Sequence, residues 1–442
     1  MQRNLVQQTF VREHINDDVR DLALKAARYP DVDMADALVQ IKGYQAIKQK
    51  VPAWYACESL QFPPTLSLEQ SSSEATARYK AALLDAFLPM ESRKKGVDLT
   101  GGLGVDAYFL SETFEEYVYV ERQALLCELA THNFSQLGRE QISVQCAEAE
   151  DYLRNMQPVD FIFIDPARRD DKGKKVFALQ DCTPDVQLLW PLLREKCRLL
   201  MIKLSPMLDI SLALKQLGDV AACHVLALDN DCKELLLCVG QAEANAEAAA
   251  SPATQLVTCN LRKQGDVHTF RFTREEENAA PCRLAAAPAQ YLYEPDVTLL
   301  KAGAYKLLTQ VFPLQKLHVN THLYTSESLQ KDFPGRVFNI VEVLSPSAKE
   351  TKKRLQGMQQ MNVAARNYPE SVETIRKKYR IKEGGQLYLF AATLADNQRV
   401  LLLCEKAEKL RYDVVFLFQP AEEYVAGAKL ICESDFFEKE NI

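Results

Sequence analysis

The sequence predicts an α/β fold: a helical region, then a Rossmann-like, mostly parallel sheet domain, then an α+β module. Three observations carry this expectation. Residues 97–106, Val-Asp-Leu-Thr-Gly-Gly-Leu-Gly-Val-Asp, read as a short apolar strand ending in a glycine turn. A helix-like segment, Ala107–Glu112, follows, and a second strand, Tyr117–Val120, ends in Glu121. Further apolar strands at 142–146, 160–164 and 198–204 are spaced widely enough for crossover helices. Finally, His224–Leu228 and Glu234–Val239 are separated only by the Asp-Asn-Asp turn at 229–231. Strands that close pair as an antiparallel hairpin, because a parallel pair needs a crossover of about a dozen residues.

The first βαβ unit has the form of a nucleoside site. Glycines let the backbone approach a ligand, and a carboxylate at the end of the second strand can accept both ribose hydroxyls. Gly102-x-Gly104-x-x-Ala107 also satisfies the dinucleotide pattern, so the turn alone leaves a nicotinamide cofactor and S-adenosylmethionine both open. The third strand leads into Glu148, a carboxylate placed to accept an adenine amine. The fourth ends in Asp165-Pro166-Ala167-Arg168-Arg169, and the fifth ends at Lys203, a candidate for phosphate contact. In open α/β sheets ligands bind beyond the carboxyl ends of the strands, where these acids fall. Mere packing at the glycines, a solvated Glu148 and a simple turn at Asp165-Pro166 are the plainer readings of each element.

A parallel sheet finished by one antiparallel hairpin strand resembles the class I S-adenosylmethionine-dependent methyltransferases, and the resemblance covers residues 65–240. It implies that Asp98, Gly101, Gly102 and Gly104 form the first cofactor motif, that Glu121 binds the ribose and that Glu148 binds the adenine. Asp165–Arg168 stand where members that methylate exocyclic amines carry Asp/Asn-Pro-Pro-aromatic. Here Ala167 and Arg168 replace the last two, and a guanidinium plane can take over stacking on a base. On this resemblance the Asp165 carboxylate and the Pro166 carbonyl accept the two hydrogens of a substrate amine, while Arg168 and Arg169 contact base or phosphate. Ser71 and Glu74 have capping-box spacing, which predicts a helix start there. In many such enzymes this segment folds over the methionine end of the cofactor, making Gln70, Ser72 and Thr76 its candidate ligands.

Residues 1–64 read as helices, from apolar positions at helical spacing such as Val19, Leu22 and Leu24 or Met34, Ala37, Leu38 and Ile41, up to the Pro63-Pro64 break. An alanine-rich link ends at Pro252. Beyond it, strands are expected at 254–260 and 267–273, a helix over 297–308, strands at 317–323 and 337–344, basic helices over 347–358 and 371–379, a hairpin at 386–404 and a strand at 412–418. Tyr293-Glu294-Pro295-Asp296, Lys301-Ala302-Gly303, His322–Ser326 and Asn362–Pro369 resemble the ferredoxin-like segment (253–330) and THUMP-like domain (331–442) of a bacterial methyltransferase family. Phe10–His14 agrees with it. THUMP domains belong to RNA-modifying enzymes, so the resemblance implies a structured RNA substrate, rRNA or tRNA.

The chain carries a net charge of −7, yet residues 349–382 hold ten Lys/Arg against three Asp/Glu, a local +7 that leaves −14 elsewhere. A basic module on an acidic body is the footprint of localised phosphate binding. Lys352, Lys353, Arg354, Arg366, Arg376 and Lys377 are its candidate contacts; a solvated helix face is the plainer alternative. The twelve cysteines form no Cys-x-x-Cys pair and the six histidines no zinc-spaced cluster, so no metal is expected. No apolar leader and no run of about 18 apolar residues is present, so no membrane partner is expected and the chain reads as cytoplasmic, with reduced thiols. A nicotinamide-dependent oxidoreductase and a non-catalytic RNA-binding protein with the same fold remain the rival functions.

Overall fold

A computed structural model describes residues 5–64, 69–168, 179–240, 253–262, 267–347, 349–358 and 360–407. They form two compact units. The first holds the described residues up to Ala222 together with 234–240, and the second holds 223–233 and the described residues from Ala253 onward.

The first unit opens with helices. The longest, Met34–Lys50, is capped by Asp33, whose carboxylate accepts the Asp36 N–H at 3.2 Å. It buries Ala37, Ile41, Tyr44 and Ile47 at helical spacing, and these share a core with Trp54, Phe62, Leu103, Val105 and Phe109. The helical region is therefore packed against the segment that follows the glycine turn.

The sheet of this unit comprises β1 (Lys95–Asp98), β2 (Glu116–Glu121), β3 (Ile142–Cys146), β4 (Val159–Ile164), β7 (Cys197–Leu204) and β9 (Asp231–Gly240), in the order β3-β2-β1-β4-β7-β9. The first five are parallel, and β9 runs antiparallel to β7. β4 and β7 carry the wholly buried apolar runs Phe161–Ile164 and Leu199–Ile202, as strands covered on both faces do. Between β4 and β7 lies a two-residue ladder, β5 (Ala167–Arg168) with β6 (Cys182–Thr183). β8 (Ala222–Leu228) joins β9 through Asp229 and Asn230, both at positive φ, as a two-residue type I′ turn requires.

In the second unit β10 (Gln255–Leu261) and β11 (Val267–Thr273) form the expected antiparallel hairpin. A separate seven-stranded sheet comprises β12 (Tyr291–Pro295), β13 (Gln315–His318), β14 (Thr321–Ser326), β15 (Gly335–Leu344), β16 (Asn362–Arg366), β17 (Leu387–Thr393) and β18 (Arg399–Lys406). Its order is β13-β14-β12-β15-β18-β17-β16. Two expectations are corrected. The helix after Pro295 stops at Ala302, because Gly303 takes a left-handed φ of 82° and closes it. The expected strand 317–323 is two strands, β13 and β14, turning at Val319-Asn320. The strand β12 was not foreseen. The expected strand at 412–418 and the alanine-rich link lie outside the described residues.

Candidate active site

The glycine turn is built by packing as much as by ligand clearance. A Cβ on Gly101 would lie 2.1 Å from the Tyr119 ring, and one on Gly104 would lie 2.7 Å from Phe134. Gly104 also holds φ 87°, and Gly102 holds φ 55°, where a Cβ would meet the Thr100 carbonyl oxygen at 3.9 Å. The loop is stitched to β2: Gly101 N–H donates to the Val120 carbonyl at 2.8 Å, and the Tyr119 hydroxyl donates to the Gly102 carbonyl at 2.5 Å.

Glu121, at the end of β2, is buried and accepts Gly102 N–H at 3.0 Å through Oε2 and Gln123 N–H at 2.9 Å through Oε1. Among the described residues each oxygen accepts one such bond, so the carboxylate is oriented and still able to accept a diol. Asp98, at the end of β1, is 1% exposed and accepts the Thr100 N–H at 2.9 Å. Burial pushes its carboxyl well above the usual range against that hydrogen bond, and the nearby Asp106 and Asp165 add to the rise. Such a carboxyl would gain from a cationic or hydroxyl donor supplied by a ligand.

Asp165 follows β4. Its N–H donates to Thr100 Oγ1 at 2.6 Å, and its Oδ2 accepts from Lys203 Nζ at 2.5 Å. Pro166 beside it is buried. Lys203 is thus committed to a carboxylate, which corrects its reading as a phosphate contact. The Arg168 backbone lies in the β5–β6 ladder, and Arg169 lies outside the described residues.

Below this edge sits an ion cluster that the sequence reading missed. Lys80, wholly buried, lies 2.6 Å from Glu234 Oε1 and 3.1 Å from Asp106 Oδ1. Lys203 Nζ is 3.8 Å from Asp106 Oδ2. Burial opposes ionisation of Asp106, but Lys80, Lys203 and the Ser72 hydroxyl outweigh it and hold its carboxyl below the usual range. Burial dominates at Glu234 and raises its carboxyl.

The segment preceding β1 is corrected by this cluster. Its helix, Glu74–Phe87, is capped by Ser73 and not by Ser71; Ser73 Oγ accepts the Thr76 N–H at 3.3 Å. Glu74 instead accepts Ala53 N–H at 2.8 Å. Ser72 Oγ donates to Asp106 at 2.7 Å and accepts from Lys80 at 3.2 Å. Thr76 Oγ1 donates to the Ser73 carbonyl. Ser72 and Thr76 therefore brace the site from within and do not present free hydroxyls, while Gln70 is exposed. Glu148 is exposed at the start of the helix Ala149–Asn155, beyond β3.

The structure also revises the basic module. Arg354 pairs with Glu342 at 3.1 Å, Arg366 with the buried Glu294 at 2.6 Å, and Arg376 with Glu383 at 2.9 Å. Lys378 pairs with Glu370. Lys352, Lys353 and Lys377 are exposed and outside these pairs.

Comparison with known proteins decides the family. A candidate methyltransferase from Porphyromonas gingivalis W83 is 34% identical, with 91% of this chain and 98% of that one covered and a TM-score of 0.77. The profile of a ferredoxin-like domain matches residues 291–334, and that of a THUMP domain-like family matches residues 335–406. The chain belongs to the bacterial class I methyltransferase family with a ferredoxin-like and a THUMP-like domain at its carboxyl end. Other solved structures are similar to a lesser degree. A candidate methyltransferase from Streptococcus mutans in complex with SAH is 13% identical, covering 28% of this chain and 70% of its own at a TM-score of 0.23. An O-methyltransferase from Bacillus cereus in complex with SAH is 11% identical, covering 44% and 100% at 0.31. No curated protein matches. Among the described residues no three His, Cys, Asp or Glu side chains are grouped to hold a metal, and no helix is long and apolar enough to cross a membrane.

Proposed function

We propose that this family member transfers a methyl group from S-adenosylmethionine to structured RNA, at an exocyclic amine of a base. One observation carries the reading: Thr100 ties the cofactor turn to the acceptor turn. Its N–H holds Asp98, and its Oγ1 receives the Asp165 N–H. Cofactor-binding and substrate-facing carboxylates are thereby fixed to one residue, as an in-line transfer demands.

S-adenosylmethionine supplies a methyl already activated by its sulfonium, leaving as the thioether when the bond to the nucleophile forms. The chain need only hold, orient and shield. Glu121 would take the ribose hydroxyls, Gly101, Gly102 and Gly104 would let the backbone approach, and Glu148 would take the adenine amine. Asp165 and the Pro166 carbonyl would orient the substrate amine, with Arg168 and Arg169 on base or phosphate. The THUMP-like match and the exposed Lys352, Lys353 and Lys377 favour RNA as the substrate class.

Calorimetric titration of the full chain separates this reading from the oxidoreductase. S-adenosylmethionine should bind and NAD⁺ should not; the reverse would overturn the proposal. Transfer of labelled methyl to total RNA from cells lacking the chain separates it from a non-catalytic RNA binder, which would leave that RNA unlabelled.

A further inference from the structure

We infer that Lys203 is a positioning residue of the transfer site: its ammonium clamps one carboxylate oxygen of Asp165 and leaves the other as the acceptor for the substrate amine. The inference rests on the reading that Asp165 faces the methyl-accepting group.

The geometry is specific. β4 and β7 are adjacent parallel strands in register Ile164↔Ile202, so Asp165 and Lys203 are the next residues along a rigid edge. Lys203 Nζ meets Asp165 Oδ2 at 2.5 Å; the lysine side chain is 12% exposed and the aspartate 36%. The contact is shielded on the lysine side and open on the carboxylate side, as a clamp behind a working acid should be. A carboxylate on a partly open turn otherwise samples several rotamers; a charge-assisted bond to a buried ammonium selects one.

The surroundings keep this ammonium on Asp165. Asp106 Oδ2 lies 3.8 Å away, and Glu234 faces Lys203 from β9. Both acids are already engaged by Lys80, at 3.1 and 2.6 Å. Asp98 faces the cluster from β1. Burial opposes the Lys203 charge, but Asp165, Asp106 and Glu234 outweigh it and hold the ammonium above its usual range. Lys203 is therefore a fixed cation and not a proton acceptor. During transfer the C–S bond breaks as the N–C bond forms, and the proton shed by the methylated amine passes to the free Asp165 oxygen or to water. Lys203 gains and loses no proton.

The test compares wild type, Lys203→Met, Lys203→Gln and Lys203→Arg in single-turnover transfer of labelled methyl to total RNA from cells lacking the chain. S-adenosylmethionine affinity is measured by calorimetry alongside. The uncharged variants should keep affinity within about threefold and lose at least about tenfold in rate at neutral pH. Lys203→Arg should restore most of the rate, because a guanidinium can hold the same carboxylate oxygen. Uncharged variants that transfer methyl at the wild-type rate, or that lose rate and S-adenosylmethionine affinity in parallel, overturn the inference, since a general structural loss lowers both together. An active Asp165→Asn variant overturns the underlying reading of Asp165 instead, and an unlabelled RNA with wild type overturns the RNA reading and the inference together.

Discussion

Lys80 Nζ lies 2.6 Å from Glu234 Oε1, with the lysine side chain fully out of solvent. The pair joins the helix Glu74–Phe87 to the start of β9, and Asp106 at 3.1 Å brings in the helix that follows the glycine turn. Removing the cation would leave two buried acids facing each other. Breaking a buried pair from one side typically costs about 3–5 kcal/mol. Lys80→Met should therefore lose about that much stability in denaturant unfolding, and adding Glu234→Gln should recover part of it. A loss under about 1 kcal/mol would mean that the cluster is not a stabilising brace.

Glu121 carries the cofactor assignment. Its Ala variant removes two acceptors for the proposed ribose, each charge-assisted bond contributing roughly 1.5–3 kcal/mol. S-adenosylmethionine affinity should fall at least about tenfold by calorimetry. Because the same carboxylate accepts Gly102 and Gln123 N–H, the Glu121→Gln variant serves as control: it can keep one of these bonds and should be intermediate.

What the sequence made legible were features local in the chain. The glycine turn, its following acid and the strands of the first domain are runs of contiguous residues, and each lies within a few residues of its expected place. The ion cluster was illegible because its members come from positions 72, 80, 106, 203 and 234, far apart in the chain, and Ser72 and Lys203 suggested ligand contacts instead. Lys80 falls in a helical pattern and Glu234 heads an apolar strand. The basic module failed in the opposite way. Its cations are contiguous, but Glu294 and Glu342, which neutralise Arg366 and Arg354, come from distant strands, so a local count overstated the free charge. Ser71 and Ser73 each precede a plausible third-position partner, Glu74 or Thr76, and only the backbone geometry chose Ser73.

His224 predicts an acid sensitivity. Burial, then Arg271, lowers its pKa to about 3, so the folded state holds it neutral. The unfolded chain binds a proton there below about pH 6.5. Stability from this group is full above that value and is lost as pH falls toward about 3, at about 1.4 kcal/mol per pH unit. His224→Phe should flatten the pH dependence of unfolding in that window by one proton. An unchanged slope would contradict the buried neutral imidazole.

Three exposed lysines should account for much of the RNA affinity of the basic module. Each phosphate neutralised contributes about 0.7–0.9 to the slope of log affinity against log salt. Replacing Lys352, Lys353 and Lys377 together by Ala should lower that slope by about 2 in filter-binding with total RNA, whereas Arg366→Ala should leave it nearly unchanged, because Arg366 is held by the buried Glu294, which Arg336 also engages. An unchanged slope in the triple variant would make this face a solvated one.

The most direct test is mass spectrometry of RNA nucleosides from cells with and without this chain, complemented by wild type or by Asp165→Ala. One methylated nucleoside, modified on an exocyclic amine, should be missing without the chain, restored by wild type and not restored by Asp165→Ala. Identical nucleoside profiles with and without the chain, or full restoration by Asp165→Ala, would contradict it.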